Sequence, residues 1–395
     1  MQSQVNQNTI QFMIRRPSTF QAIVFQAAFG SYLLWAAGSA IPLIRIDFGI
    51  SRTLASMHSI SVGIGAILGA HFALHLANSI TREKIMRLSI PTMSIGMLGL
   101  TLGPTMWITV PSCGLAAFSQ SIVNSLSLSQ ISLDAKPSLR RIYIQSGIQA
   151  CLGASAIFLI SFSLDADLGW RLPILLGILI LAPLTMIIVW KVKFLVSASA
   201  TSSKGTGLLR HPSENYRKIF LAGFLMSFCE MGIGFWSIDL LINRGAGVAL
   251  GAFGLALLSL MTGISRIGFA ALGYPVKKTM RLVLVLYPLG VVIICLTQSP
   301  TATMAGLLIA SIAGSALYGV GVFQVSEGFA DPSAKISNFM TGMAASYGVT
   351  PVILAVIFDN LGFITGYLTM PVALFFAFLL WRTLGSKSES NSSNL

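Results

Sequence analysis

Acidic side chains are scarce in this 395-residue chain: Asp and Glu number 12 against 25 Lys and Arg, and charged residues of both signs make up only 9%. A soluble globular domain carries about a quarter charged residues, so the scarcity excludes a chain folded around one core in water. Cysteine is also sparse. Cys113, Cys151, Cys229 and Cys295 fall one to a predicted helix, without the close spacing of a disulfide framework or a zinc site, and read as small apolar filler. No glycine-rich phosphate loop or ATPase segment is present, so this chain does not drive work by hydrolysing nucleotide. Gly153-Ala154-Ser155-Ala156 lacks the closing glycine and placed histidine of a serine nucleophile motif, and an enzyme is not expected. His71 and His75 stand four apart on one helix without a carboxylate or cysteine beside them, His58 is isolated and His211 lies in a polar linker. No metal and no cofactor is expected from them.

What the chain has instead is apolar length. Hydrophobic residues reach 54% and mean hydropathy +0.81. Runs near the ~20 residues that cross a hydrocarbon core fall at 20–44, 53–78, 86–106, 108–131, 141–164 and 171–191, then at 218–240, 248–272, 280–298, 302–325, 337–358 and 364–382. A backbone in lipid must satisfy its own hydrogen bonds, which makes such runs helices. The expected fold is an all-α integral membrane protein of two pseudo-symmetric six-helix bundles around a central cavity. Its parts are a tail over 1–19, a bundle over 20–191, a basic linker over 192–217, a second bundle over 218–382 and a tail over 383–395. Ser386 to Leu395 is Ser/Asn-rich and expected to be disordered.

The net charge of +13 would suggest nucleic acid until the basic residues are placed. Arg15, Arg16, Arg82, Lys84, Arg87, Lys136, Arg140, Arg141, Lys191, Lys204, Arg210, Lys277, Lys278, Arg281, Lys335 and Arg382 all fall in alternate loops or tails, against Arg45, Arg52, Arg171 and Arg244 on the other side. The positive-inside rule then puts both termini in the cytoplasm. The excess charge reads as orientation and contact with anionic membrane lipids, leaving nucleic acid nothing to explain. The first apolar run is too long for a signal peptide and reads as an uncleaved helix. A monomeric, multi-pass protein of a bacterial cytoplasmic (inner) membrane is expected.

Lys84-Ile85-Met86-Arg87-Leu88 recurs as Lys278-Thr279-Met280-Arg281-Leu282, and the same offset sets Gly69 against Gly263. The chain reads as a tandem duplication. Two six-helix halves joined by a basic linker resemble the major facilitator superfamily over nearly the whole length. The resemblance rests on Ala73 to Arg82, which keeps the length and final basic residue of that superfamily's loop between helices two and three, and on Gly263-Ile264-Ser265-Arg266-Ile267-Gly268 followed by Lys277-Lys278. Ala40-Ile41-Pro42-Leu43-Ile44, Asp47-Phe48-Gly49-Ile50-Ser51, Pro351 and Asp359 match as well. Phe228 to Trp236 is similar to the Glu-x-x-x-x-x-Trp pattern of fucose:proton symporter-like branches. Those symporters use acids on helices one and four, where this chain has Ala36 to Ala40 and Gln120 to Asn124; the fifth helix lacks the Gly-Pro motif of proton-antiporter branches. The resemblance implies transport by rocking of the two halves, with a small-molecule substrate and protons as partners.

Glu230 is the one acidic residue deep inside a predicted span. A carboxylate at mid-bilayer costs several kcal/mol and usually faces a cavity or a partner. Ser227, Glu230, Gly234 and Ser237 share a stripe, and a carboxyl there can take and release a proton or simply brace the helices. Arg266 is the one base inside a span. Counted at ~1.5 Å per residue, Glu230 lies about 18 Å and Arg266 about 9 Å from the cytoplasmic helix ends, an offset beyond comfortable reach of an arginine, so direct contact would need tilt or a bridging water. Arg266 therefore reads as an inner-gate residue together with Arg82, Lys84, Lys277 and Lys278, with a substrate-anion or Glu230-partner role as the alternative. Further stripes are Tyr32, Trp35 and Ser39 on the first helix, Gln120, Asn124 and Ser127 on the fourth, Gln145 and Gln149 on the fifth, and Ser311, Ser315 and Tyr318 on the tenth. With Trp236, the larger of these are candidate cavity residues, although polar side chains also glue membrane helices together. Three functions follow: a proton-coupled secondary transporter of a small organic solute, a proton-driven exporter of an amphipathic compound, or a non-transporting sensor or scaffold on the same fold.

Overall fold

The computed structural model describes residues 18–50, 52–134, 139–192, 214–327 and 333–392. Lys136, Lys204, Arg210 and His211, the tail before residue 18 and most of the expected linker lie outside them. The twelve expected apolar runs form helices: α1 Thr19–Phe48, α2 Met57–Ser79, α3 Arg82–Leu102, α4 Met106–Asp134, α5 Leu139–Asp165 and α6 Arg171–Trp190. The second set is α7 Glu214–Phe235, α8 Val248–Leu272, α9 Val276–Leu296, α10 Pro300–Ser326, α11 over 333–361 and α12 over 363–392. Adding the offset of 194 residues between Lys84 and Lys278 to α3 gives 276–296, the bounds of α9, and the starts of α4 and α5 land on those of α10 and α11.

Several spans depart from simple helices. A separate turn, Arg52–Ala55, precedes α2, and α7 is interrupted at Trp236 before a short continuation, Ser237–Asn243. The middle of α6, Gly177–Leu181, widens into a π turn immediately before Pro183, which has no N–H to give its preceding turn. Between α11 and α12 the expected loop is a single residue. Gly362 has φ 79° and ψ 165°, a region open essentially only to glycine, so one residue reverses the chain. The tail expected to be disordered instead continues α12 as helix through Ser392.

The outer surface is apolar: Phe25, Ile95, Leu179, Val285 and Phe376 are all more than half exposed, which suits a surface solvated by hydrocarbon. Inside the first half α2 packs on α4 and α1 on α5; inside the second α7 packs on α11 and α9 on α10. The halves meet where α5 packs on α8 and α2 on α11, two contacts that exchange under the 194-residue offset. Both are close backbone crossings. A Cβ on Gly147 would meet the Gly263 carbonyl at 2.9 Å, and one on Gly348 would meet Gly63 Cα at 2.9 Å. Glycine at these crossings lets two helices approach as small-residue membrane interfaces do.

Candidate functional site

Glu230, about three-quarters of the way along α7, and Arg266, near the basic end of α8, form a direct ion pair through Glu230 Oε1 and Arg266 Nη2. Their side chains are 9% and 8% exposed. The axial offset read from the sequence is bridged, against expectation, because α7 and α8 run antiparallel and every helical side chain leans toward its own N-terminus. Glu230 therefore leans toward the basic face and Arg266 away from it, and the two converge. Glu230 Oε2 is buried with no hydrogen-bond partner.

Arg266 spans four helices. Nε donates to the Ser315 carbonyl of α10 at 3.1 Å, Nη1 donates to the Ser146 carbonyl of α5 at 3.2 Å, and the guanidinium lies 5.0 Å from the centre of the Tyr318 ring. The bond to Ser146 crosses from the second bundle into the first. Tyr347 of α11 is within electrostatic range of both charges, and Tyr143, Tyr287 and Tyr318 are likewise coupled to Glu230. Tyr347 and Tyr143 were missed in the sequence; Tyr347 sits in the polar run Ser346-Tyr347-Gly348-Val349-Thr350 before Pro351, a signal that could have found it.

One turn along α5 from Ser146, the neutral candidates come together. Gln145 donates to Gln149 Oε1 at 3.0 Å, and Gln149 in turn donates to Asn124 Oδ1 at 2.8 Å and to the Ala27 carbonyl at 3.3 Å. Gln120 donates to the same two acceptors, each at 3.2 Å. The Asn124 carbonyl oxygen is thus saturated while its amide nitrogen has no partner among the described residues. Trp35 lies against Gly153, one further turn along α5, where a Cβ would meet its ring at 2.6 Å. Ser146, Gln149 and Gly153 lie at the three-and-four spacing of one helix face, so α5 carries the charged site, the amide cluster and the indole in series.

The remaining candidates are placed elsewhere. Tyr32 is buried and donates to the Pro173 carbonyl at 2.9 Å, tying α1 to α6. Trp236 donates to the Pro351 carbonyl at 3.1 Å and packs edge-on to Phe358, tying the end of α7 to α11. Arg82 reaches Ser129 Oγ at 2.8 Å inside the first half, Lys84 is exposed, Lys277 is exposed and Lys278 lies 3.8 Å over the Tyr274 ring. None of these contacts joins the bundles. His58, isolated in the sequence, is buried and bonded through both ring nitrogens, to the Ala55 carbonyl at 3.0 Å and Thr109 Oγ1 at 2.9 Å. His71 and His75 are exposed.

Among the hydrogen bonds that cross between the bundles are Arg266 to Ser146, Tyr143 Oη to the Ala316 carbonyl at 3.1 Å, and Ser337 Oγ to the Ala70 carbonyl at 2.5 Å. All three lie in the half of the molecule nearer the basic face.

No protein-family model matches the sequence, and no curated protein matches it. Solved structures do. The human organic anion transporter MFSD10 superposes with a TM-score of 0.70 at 15% identity, over 92% of this chain and 100% of that one. The proton:xylose symporter XylE, bound to 6-bromo-6-deoxy-D-glucose, gives 0.71 at 14% identity over 93% and 95%. The fucose:proton symporter FucP of E. coli gives 0.66 at 15% identity over 91% and 98%. At such identities the likeness is one of fold, and with the apolar helices it is specific: this is an integral, multi-pass membrane protein with the two-bundle fold of the major facilitator superfamily.

Proposed function

We propose that this chain is a secondary active transporter of a small organic solute, working by alternating access and coupled to protons through Glu230. The observation that carries the reading is that Arg266 binds Glu230 in its own bundle and the Ser146 carbonyl in the other. An ionised Glu230 holds the guanidinium in place. A neutral Glu230 loosens that hold, and with it a contact that keeps the halves together at the basic face. Protonation at one side chain is thereby linked to the rocking of two rigid bundles. The transport roles of the three structural neighbours, two of them proton symporters, support the same class.

The two bundles then correspond to 20–191 and 218–382 about the linker at 192–217, with both termini in the cytoplasm and the basic face against anionic headgroups. In that orientation the cross-bundle hydrogen bonds of Arg266, Tyr143 and Ser337 hold the bundles together on the cytoplasmic side. The chain works as a monomer in the inner membrane, with Arg82, Lys84, Lys277 and Lys278 at the rim of the inner opening.

The test is solute-driven proton movement in proteoliposomes loaded with a pH dye, across a panel of sugars, nucleosides and organic anions. A solute that shows saturable counterflow and carries protons in the parent protein, and counterflow without proton movement in Glu230→Gln, is the expected result. Unchanged proton movement in that variant removes Glu230 from coupling. Absence of counterflow across the panel sinks the transporter reading in favour of a sensor or scaffold.

A further inference from the structure

Resting on the transporter reading, the inference concerns which chemical class of solute the site accepts. Around Arg266 the structure leaves hydrogen-bond donors unspent. A guanidinium has five N–H groups, and three of them are used, one each on Nε, Nη1 and Nη2. The two that remain are on Nη1 and Nη2, the pair whose fork matches the two oxygens of a carboxylate. The hydroxyls of Tyr318 and Tyr347 have no hydrogen-bond partner among the described residues, and neither is sealed in protein. Asn124 contributes its free amide nitrogen from the first bundle, and the Trp35 indole N–H is likewise without a partner. The unspent acceptors are Glu230 Oε2 beside Arg266 and, in the amide cluster, the Oε1 atoms of Gln120 and Gln145.

We propose that Arg266, Tyr318, Tyr347 and Asn124 bind a small organic carboxylate, which takes the place of Glu230 on the Arg266 fork when Glu230 is protonated. Charge decides between ligand classes. With Glu230 ionised the pair sums to zero; with Glu230 neutral, the site holds one uncompensated positive charge in a nearly dry interior, where an unpaired ion is costly. An incoming monoanion restores neutrality. A neutral polyol leaves the charge standing, and a cation adds to it. The other titratable groups facing Glu230 are tyrosines: Tyr143 on α5, Tyr287 on α9, Tyr318 on α10 and Tyr347 on α11. As phenols they do not compete with an anion in the neutral range; the hydroxyls of Tyr143 and Tyr287 already donate to the Ala316 and Cys229 carbonyls, which leaves those of Tyr318 and Tyr347 as donors. Proton and carboxylate thus enter as a pair, and Glu230, a competing anion while ionised, gains on protonation an O–H that is a further donor.

Thermal stabilisation of the purified full-length protein tests this with three probe sets: the monoanions lactate, benzoate and gluconate, the neutral polyols glucose and mannitol, and the cation choline. Measurements at about pH 5.5 and about pH 8 bracket the range in which a buried carboxyl changes charge. At least one monoanion is expected to stabilise the parent protein, several-fold more tightly at the lower pH. Glu230→Gln, which keeps the side chain's shape, is expected to bind it with equal strength at both pH values. Tyr347→Phe is expected to weaken binding several-fold. Stabilisation by a polyol or choline alone, a pH dependence that survives Glu230→Gln, or no stabilisation by any monoanion overturns the proposal. Counterflow of a neutral or cationic solute would overturn it while leaving the transporter reading intact. A monoanion that binds in this pattern without counterflow would do the reverse.

Discussion

Glu230 and Arg266 are the two side chains whose chemistry cannot be reduced to packing. Removing one member of a buried ion pair leaves the other uncompensated and costs about 3–5 kcal/mol, whereas replacing both by apolar groups is often close to neutral. Arg266→Leu is therefore expected to unfold at a clearly lower temperature than the parent, and the double variant Glu230→Leu/Arg266→Leu to recover most of that loss; a thermal melt in detergent reads both. If the double variant is as unstable as the single, the pair does not act as a charge-balanced unit. Each charge was visible in the sequence, because an acid and a base inside apolar runs stand out against their surroundings. Their contact was not, because depth counted along two helices omits the opposite lean of their side chains. The same limit applies to the tyrosines: Tyr32 and Tyr347 look alike in sequence, yet one hydroxyl is spent on the Pro173 carbonyl and the other is left unpartnered.

Helix boundaries follow from local properties, and the duplication made them more legible still, since α3 maps onto α9 end for end. The junctions were less legible. Gly362 replaces an expected loop with a one-residue reversal, and a side chain there is strained whatever its size. Gly362→Ala is expected to cost about 1–3 kcal/mol, read as a lower melting temperature in detergent; an unchanged melt would mean that the α11–α12 corner relaxes freely. At the face opposite the basic one, α1, α3 and α6 are tied together by Asp47. Its carboxylate accepts from Arg171 at 2.9 Å and from the Trp170 indole at 3.0 Å, while Arg171 also donates to the Thr101 carbonyl at 3.0 Å. The ion pair is over a third exposed on both sides, so screening limits it to about 1 kcal/mol or less. Asp47→Asn should lower the melting temperature by a small amount that shrinks further as salt is added. An effect that ignores salt would place the stabilisation in the indole bond. The sequence marked Asp47 by resemblance alone; its partners lie more than a hundred residues away.

At the scale of the molecule, what matters is the balance between two rigid halves. Tyr143 Oη donating to the Ala316 carbonyl is one of the hydrogen bonds that cross between them. Tyr143→Phe keeps the ring and removes about 1 kcal/mol of hydrogen bonding. The ratio of states closed and open at the basic face should then fall roughly fivefold. Spin labels at Arg140→Cys and Ala271→Cys, with the native cysteines replaced, would report this as a growing population at longer distance, and an unchanged distribution would show that this bond does not hold the closed state. By itself the sequence determined that the chain lives in lipid, that it crosses as twelve helices, and that its second half repeats the first in register, because hydropathy, length and internal repetition are written locally along a chain. Only the tertiary structure decided that Arg266 meets Glu230, that α5 brings the Ser146 carbonyl to the charge pair and the amide cluster to the next turn, and that hydrogen bonds join the bundles on the side of the basic face. Those depend on the crossing of helices and the lean of side chains between segments far apart in the sequence, which no local pattern records.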